Sequence, residues 1–281
     1  SSFNKKQKKI IVCRDGRLSS PELVKSLKKG LYESGADIID IGLGPSPMLY
    51  FAANHLDSDG AIMVTGSHNP PQHNGFKIMK GKVPFFGNDI LDIGERGIKG
   101  EWDYSNGSKL DYFIDDKYIN ILLESLKLNK FNKALKVAWD PGNGAAGAII
   151  KKLVKLLPGE HTLINSEIDG LFPSHHPDPT DPENLKEIIS LVRKQELDVG
   201  LAFDGDGDRL GVVSSTGRIV WGDQLLAFLS KEVLRNMPNS SIIADVKASQ
   251  NLFNEIKKNG GVPVMWKTGH SFIKSKMKEI S

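Results

Sequence analysis

Three segments of this chain share one pattern of apolar and polar positions: a short apolar strand, a polar or Gly/Ser turn, an amphipathic helix and a second apolar strand. In the first segment, Leu23, Leu27 and Leu31 recur at helical spacing, and Pro21 lies in the first helical turn, where proline is tolerated. The segments are KIIVCRDGRLSS, PELVKSLKKGLYESG and ADIIDIG; LKVAWDPGNG, AAGAIIKKLVKLL and HTLINSE; and SSIIADVKAS, QNLFNEIKKNG and VPVMWKTGHS.

The repeated strand-helix-strand pattern predicts three consecutive α/β domains with mixed sheets, because a helix of this length is a crossover between neighbouring strands. We expect the domains to comprise residues 1–113, 114–218 and 219–281. Loops at the ends of strands are the usual place for a site in an open α/β sheet. We therefore expect the site in a central cleft with the three domains around it.

The composition, with 39% hydrophobic and 25% charged residues among 281, is that of an ordinary soluble globular protein. The 37 basic and 34 acidic residues are mostly interspersed, so no long basic face is available to nucleic acid. There is no run of about 18 apolar residues, and the single cysteine, Cys13, cannot form an internal disulfide. We expect a cytoplasmic protein, monomeric or weakly dimeric, that binds neither nucleic acid nor membranes.

A cluster of carboxylates follows an apolar strand in LDVGLAFDGDGDRLGVV. Asp204, Asp206 and Asp208 are two residues apart, which puts their side chains on one side of an extended backbone, and the glycines between them leave room for an ion. Hard oxygen ligands favour Mg²⁺ or Ca²⁺. Arg209 beside them suggests a phosphate that contacts both the metal and the guanidinium.

Two other interpretations of the acidic segment are open. A calcium-binding helix-loop-helix requires Gly at the sixth loop position and Glu at the twelfth, where this chain has Arg209 and Ser215. An acidic turn without an ion is the second, although unneutralised repulsion between two buried strands would be costly.

The glycine-rich stretch GNGAAG, residues 142–147, matches the dinucleotide-binding pattern, follows a strand and has Glu167 about 20 residues further on. However, Asp140 and Pro141 precede the glycines, which places a negative charge near the site of a pyrophosphate and removes one backbone donor. A structural turn is the favoured interpretation.

A serine follows another predicted strand in VTGSHNPPQHNGFKIMK. The strand at 61–64 ends before Gly66, so Ser67 is expected on a tight turn that faces the acidic segment. An exposed hydroxyl beside His68, with Lys77 nearby, can attack or carry a phosphoryl group. A plain turn serine without chemistry is the alternative.

These segments together carry a resemblance to a known family. VTGSHNPPQHNGFKI resembles the phosphoserine loop of the α-D-phosphohexomutases, FDGDGDR resembles their magnesium loop, and DVKAS with VMWKTGHSFIKSKM resembles their third domain. WKTGHS is more similar to the bacterial phosphomannomutase/phosphoglucomutase branch than to the phosphoglucosamine mutases. The resemblance implies an intramolecular phosphotransferase that interconverts hexose 6-phosphate and hexose 1-phosphate of mannose or glucose, through a phosphoserine and a bisphosphorylated sugar.

The resemblance also implies roles for individual residues. Ser67 would carry the phosphate, one Mg²⁺ would bind per chain, and glucose or mannose 1,6-bisphosphate would be the activator. The implied metal ligands are Ser67, Asp204, Asp206 and Asp208. The implied catalytic residues are Ser67, His68 and Lys77, with His68 steadying the loop. The implied contacts to the sugar phosphate are Arg14, Asn69, Arg209, Lys247 and His270.

The chain also departs from the family pattern. Gly66 stands where the family more often has Ala, which we expect to loosen the turn. The family's Y-D-I-R-G strand and G-E-M-S-G-H loop are not found, so we expect a chain truncated at both ends, with incomplete first and third domains and no fourth domain. A metal-dependent sugar phosphatase and a catalytically inactive remnant are therefore open alternatives.

Overall fold

The computed structural model describes residues 7–81, 83–101, 104–126 and 134–280. The chain forms two compact units, Ser1–Arg218 (unit 1) and Ile219–Ser281 (unit 2). None of the helices in the described ranges is long and apolar enough to cross a membrane.

Unit 1 contains ten strands and six α-helices among its described residues. The strands are β1 (Lys9–Arg14), β2 (Asp37–Leu43), β3 (Gly60–Val64), β4 (Phe76–Lys80), β5 (Val83–Phe85), β6 (Lys109–Asp111), β7 (Leu135–Asp140), β8 (Gly159–Leu163), β9 (Val199–Phe203) and β10 (Leu210–Ser214). The helices are α1 (Ser20–Glu33), α2 (Ser46–His55), α3 (Asn88–Lys99), α4 (Asp115–Ser125), α5 (Gly147–Leu153) and α6 (Lys186–Lys194), with a 3₁₀ helix at Pro182–Leu185.

The first sheet has the strand order β5-β4-β3-β1-β2-β6. β1 pairs in parallel with β2 and β3, and β2 with β6, whereas β4 runs antiparallel to β3 and β5. Successive residues of β1 point to opposite faces, so Ile11 and Cys13 pack with α2 while Val12 packs with α1. This mixed sheet places the loop from β3 to β4 at the carboxyl end of the central strands.

The second sheet of unit 1 contains β8, β7, β9 and β10 in that order. β7 is parallel to β8 and β9, and β9 and β10 form an antiparallel hairpin. The acidic segment is the turn of this hairpin. Helix α5 is shorter than the predicted helix and ends at Leu153, before Pro158.

Unit 2 has a third α/β arrangement with its own core. Its elements are β11 (Ile219–Val220), α7 (Gly222–Asn236), β12 (Ser241–Asp245), α8 (Gln250–Lys258), β13 (Val262–Trp266) and α9 (His270–Glu279). β12 and β13 pair in parallel, and Ile242 packs with Leu234, Leu252 and Ile256 in the core. The three strand-helix-strand segments therefore form as predicted, and the domain bounds 1–113, 114–218 and 219–281 stay predictions.

Candidate active site

Ser67 lies on the turn that follows β3 and has a strained backbone. Its φ angle is +50°, in the left-handed region that residues other than glycine rarely adopt. Its amide donates to Thr65 Oγ1 at 2.8 Å, and its Oγ lies 2.9 Å from Asp204 Oδ2. Only 9% of the residue is exposed. Such strain persists where the surrounding structure holds the residue in place, which is common at functional sites.

The guanidinium of Arg17 holds the backbone around Ser67. Arg17 is fully buried, and its Nη2 donates to the carbonyl oxygens of Ser67 and Asn69, both at 2.7 Å. Its Nη1 donates to the carbonyl oxygens of Pro70 at 2.6 Å and His73 at 3.0 Å. One side chain therefore satisfies four carbonyl oxygens of the loop between β3 and β4.

The charge of Arg17 is compensated by Asp15, which is also fully buried. Arg17 Nε donates to Asp15 Oδ2 at 3.0 Å, and the carboxylate also accepts from Ser20 Oγ at 2.6 Å and Thr65 Oγ1 at 2.8 Å. The guanidinium lies 5.1 Å from the centre of the Phe172 ring. A buried ion pair needs such additional hydrogen bonds to offset desolvation. Arg14 was the arginine expected at the site, and the Asp15–Arg17 pair was not predicted, because burial is not visible in the RDGR motif.

Gly66 leaves room for this arrangement. A Cβ at position 66 would lie 2.6 Å from Arg17 Cζ and 2.6 Å from the His73 carbonyl oxygen. The absent side chain thus gives Arg17 the room to reach the loop, and the expectation that glycine loosens the turn stays a prediction.

The acidic segment is a tight turn, and the predicted extended backbone is wrong. The Gly207 amide donates to the Asp204 carbonyl oxygen at 2.9 Å, and Gly207 has a φ of +71°, which reverses the chain. The turn nevertheless gathers Asp204, Asp206 and Asp208: one carboxylate oxygen of each lies within 4.8 Å of the other two.

The crowding of carboxylates perturbs their ionisation. Burial, followed by the charges of Asp206 and Asp208, raises the pKa of Asp204 to about 7. Lys77 Nζ lies 2.6 Å from Asp206 Oδ2 and 2.6 Å from Asp208 Oδ2. Burial alone would lower the pKa of Lys77, but these two carboxylates outweigh it and raise that pKa. The lysine is thus held as a cation among the acids.

The residues present fit a divalent cation. Three carboxylates and the Ser67 hydroxyl supply hard oxygen atoms within a small volume. Asp206 Oδ1 is buried and has no hydrogen-bond partner among the described residues. Ser46, which sequence analysis missed, donates from its buried Oγ to the other oxygen, Asp206 Oδ2, and from its amide to the Asp206 carbonyl oxygen at 2.8 Å. The Asp triad could therefore hold a metal, and Asp206 Oδ1 is an oxygen available to bind it.

His68 and Arg209 also lie at this site. His68 Nδ1 is 3.5 Å from Ser67 Oγ, and burial, followed by the positive charge of Arg209, lowers the pKa of His68. The Arg209 amide donates to Asp204 Oδ1 at 3.0 Å, while its guanidinium is 3.7 Å from Asp178. His68 is therefore neutral at pH 7.

Arg14 and Asn69 have backbone contacts near the serine loop. Arg14 is half-buried at the end of β1, and its Nη1 donates to the Asp15 carbonyl oxygen at 3.1 Å. Asn69 is exposed, and its amide donates to the Gly66 carbonyl oxygen at 2.9 Å. The Asn69 side chain is thereby left on the surface of the loop.

Lys247 and His270 belong to unit 2, and both are exposed. The Lys247 amide donates to Asp245 Oδ1 at 2.9 Å in the turn after β12, and His270 is the first residue of α9. Their contribution to a site stays a prediction.

The stretch at 142–147 does not have the amides free for a dinucleotide. The backbone amides of residues 142 to 145 donate, in chain order, to oxygens of Asp140, Asn165, Pro141 and Gly205. A pyrophosphate needs those donors. The structural-turn interpretation is therefore favoured.

Comparison with known proteins finds three consecutive family matches. Residues 1–96, 116–217 and 221–281 match the α/β/α domains I, II and III of phosphoglucomutase/phosphomannomutase. A phosphomannomutase/phosphoglucomutase of Pseudomonas aeruginosa is 46% identical over 270 residues, covering 96% of this chain and 58% of the relative. A phosphoglucomutase of Neisseria meningitidis is 42% identical over 275 residues, covering 96% of this chain and 59% of the relative.

A solved structure of a phosphoglucomutase/phosphomannomutase family protein from Burkholderia thailandensis superposes with a TM-score of 0.91. It is 40% identical, and the match covers 97% of this chain and 60% of that one. The chain thus spans about three-fifths of the length of the relatives it matches. Because the three matched domains account for its three successive α/β segments, the chain belongs to the phosphoglucomutase/phosphomannomutase family, in the bacterial branch of the α-D-phosphohexomutases.

Proposed function

We propose that this chain carries the phosphoryl-transfer centre of a mutase that interconverts hexose 6-phosphate and hexose 1-phosphate, with mannose, glucose or both as the sugar. The observation that carries the proposal is the 2.9 Å distance between Ser67 Oγ and Asp204 Oδ2, within a triad of carboxylates that could hold a cation. The printed names of the relatives, phosphomannomutase/phosphoglucomutase and phosphoglucomutase, support the same reaction.

In the proposed reaction Ser67 carries the phosphoryl group in the resting enzyme. The bond between phosphorus and Ser67 Oγ breaks as a bond forms from phosphorus to the free hydroxyl of the sugar phosphate. The sugar hydroxyl loses its proton to the surroundings, and Ser67 Oγ takes up a proton from them. The resulting bisphosphorylated sugar turns over and returns its other phosphate to Ser67. No net phosphate is gained or lost by the protein.

Mg²⁺ held by Asp204, Asp206, Asp208 and a phosphate oxygen on Ser67 would neutralise charge on the transferring group. The protein's own residues prepare the site. Arg17 fixes the Ser67 carbonyl, and the neutral imidazole of His68 lies near Oγ without adding charge.

The proposed contacts to the sugar phosphate rest on the family resemblance. Lys77 is bonded to two carboxylates, and we expect it to turn to the phosphate once a cation occupies those carboxylates. The other proposed contacts are Arg14, Asn69, Arg209, Lys247 and His270. Glucose or mannose 1,6-bisphosphate as activator, one Mg²⁺ per chain, a cytoplasmic location and a monomeric or weakly dimeric state belong to the same proposal.

The test is phosphorylation of the chain by glucose 1,6-bisphosphate with Mg²⁺, followed by intact-mass measurement. We expect one added phosphoryl group in the unaltered chain and none in Ser67→Ala. Ser125→Ala is the matched control, since the exposed Ser125 hydroxyl donates to the Ile121 carbonyl oxygen within α4, and it is expected to label fully.

A second step distinguishes the alternatives. The labelled chain, and separately the full-length protein that contains it, is given mannose 1-phosphate or glucose 1-phosphate. Formation of the 6-phosphate supports the mutase, whereas inorganic phosphate without isomerised sugar supports a phosphatase. Absence of label on Ser67 in both proteins would overturn the proposal in favour of an inactive remnant.

A further inference from the structure

Asp140 is a fully buried carboxylate outside the proposed active site, at the end of β7. Its Oδ1 accepts from the Gly142 amide at 2.9 Å and from Asn165 Nδ2 at 3.2 Å. Its Oδ2 lies 2.9 Å from Nε2 of His175, whose side chain is 15% exposed. Three groups from separate segments therefore converge on one carboxylate.

The geometry indicates that His175 is protonated on both ring nitrogens. Nδ1 lies 2.9 Å from the His176 carbonyl oxygen, and Nε2 faces the Asp140 carboxylate. A carbonyl oxygen and an ionised carboxylate only accept, so both nitrogens have to donate, and the ring is an imidazolium.

The electrostatic surroundings agree with that protonation state. Burial would lower the pKa of His175, but the hydrogen bond and charge of Asp140 outweigh it, and Glu187 adds a further negative charge, so the pKa is raised. Glu187 reaches the same cluster through Asn165, whose Nδ2 lies 2.8 Å from Glu187 Oε2. Asp140 and Glu187 are thus two negative groups whose charges act on the imidazolium.

The turn that starts at Asp140 contacts the acidic turn directly. The Ala145 amide donates to the Gly205 carbonyl oxygen at 2.9 Å. A Cβ on Gly144 would lie 2.8 Å from that same oxygen, so the two turns approach as closely as glycine permits. Gly205 stands between Asp204 and Asp206, and a Cβ on it would overlap the Ser67 carbonyl oxygen.

We propose that the Asp140–His175 ion pair positions the acidic turn: by holding the 141–145 turn in shape, it keeps Gly205, and with it Asp204 and Asp206, in the arrangement that binds a divalent cation. Both are positioning residues, since neither is a ligand in the proposed site. The consequence for catalysis rests on the proposed function. The effect of the ion pair on the shape of the acidic turn does not depend on that function.

The pair has a defined pH dependence. The pKa of His175 is raised on folding, so protonated His175 stabilises the folded state fully at pH values below its ordinary pKa of 6.5. This stabilisation is lost as pH rises through the pKa of His175 in the folded state. Deprotonation removes one of the two N–H donors and the positive charge beside Asp140. We therefore expect the acidic turn to loosen at alkaline pH.

The test measures hydrogen-exchange protection factors without metal, and Mn²⁺ affinity, at pH 6 and pH 9. Asp140→Asn should lower protection at 142–145 and at 204–208 by about 10-fold and weaken Mn²⁺ binding by about 10-fold, the size usual for residues that support metal ligands. His175→Gln keeps one amide donor and cannot titrate, so it should abolish the loss of protection at 142–145 between the two pH values. His55→Gln is the control, since the His55 ring stacks on Phe51 instead.

Two outcomes would overturn the inference. One is unchanged protection at 204–208 in Asp140→Asn, and the other is a uniform loss throughout unit 1, which would mean general destabilisation. If the unaltered chain binds no Mn²⁺, the proposed function loses its metal site, while the protection factors still decide this inference.

Discussion

Arg17 Nη2 lies 2.7 Å from the carbonyl oxygen of Ser67, and this bond joins two buried residues that are 50 positions apart in the chain. Ser67 has the left-handed φ of +50° that a serine adopts only under constraint. The bond from Arg17 supplies part of that constraint. The reactivity that we propose for Ser67 therefore depends on Arg17, which is not among the proposed substrate contacts.

Replacing Arg17 should destabilise unit 1 strongly. Arg17→Met leaves Asp15 as a buried charge without its partner and leaves four loop carbonyl oxygens without their donor. We expect the free energy of unfolding, measured by urea denaturation, to fall by about 3–5 kcal/mol. Arg96→Met, at an exposed arginine 3.9 Å from Glu101, should change it by less than about 0.5 kcal/mol. Equal effects of the two variants would contradict this account of Arg17.

Adding one methyl group at Gly205 should separate the acidic turn from the turn that carries Ser67. Because the new Cβ would overlap the Ser67 carbonyl oxygen, Gly205→Ala has to shift the acidic turn away from the serine. We expect labelling of Ser67 by glucose 1,6-bisphosphate to slow by about 100-fold, as misplacement by about 1 Å can do. Gly94→Ala in α3 meets open space and should label at the normal rate. A Gly205→Ala variant that labels as fast as Gly94→Ala would refute the expected clash.

Lys77 should have opposite effects on metal binding and on phosphoryl transfer. Its ammonium is bonded to Asp206 and Asp208 and so competes with a cation for them. Lys77→Met should raise Mn²⁺ affinity by about 10-fold, corresponding to about 1.4 kcal/mol, while it slows labelling of Ser67. Titration calorimetry measures the first effect and intact mass the second. Lys80→Met, at an exposed position of the same strand, should change neither, and a loss of Mn²⁺ affinity in Lys77→Met would exclude the competition.

Asp204 should make the metal-free chain less stable as pH rises. Its folded pKa of about 7 lies above the ordinary 3.8, so the folded state holds the proton more tightly, and stability is lost as pH rises from 3.8 to 7. Asp204→Asn removes this penalty. Its gain in the free energy of unfolding over the unaltered metal-free chain should be larger at pH 8 than at pH 5, by on the order of 1–3 kcal/mol.

The same variant should lose the response to metal. Mg²⁺ is expected to raise the urea midpoint of the unaltered chain at pH 8 and to leave Asp204→Asn unchanged, because a ligand that binds only the folded state stabilises it. If the free energies of unfolding of Asp204→Asn and the unaltered metal-free chain differ by the same amount at pH 5 and pH 8, the pKa of Asp204 is not raised on folding.

The sequence alone was sufficient for the three strand-helix-strand segments and for a hypothesis about the reacting groups. Alternation in β1, with Ile11 and Cys13 on one face and Val12 on the other, is a local property of the chain, and so is the helical spacing of Leu23, Leu27 and Leu31. Ser67 and the three aspartates were recognisable because each lies in a short motif. Their roles stay predictions.

The tertiary structure decided how those groups are held. Arg17 reaches Ser67 across 50 residues, and Ser46 reaches Asp206 across 160, so no local pattern marks either of them. The predicted extended acidic segment was wrong because Gly207 has a positive φ, a conformation that glycine permits but does not require.

The 141–145 turn also shows what the sequence indicates and what only the tertiary structure decides. Its glycines were visible in the sequence and were compatible with either a nucleotide site or a turn. The choice between them depended on where the amides point, and the structure shows that they donate to the protein's own oxygens. Sequence determines which conformations and which chemical groups are available, whereas packing between distant segments determines which of them are used, because burial and hydrogen bonding depend on neighbours that the chain brings together only on folding.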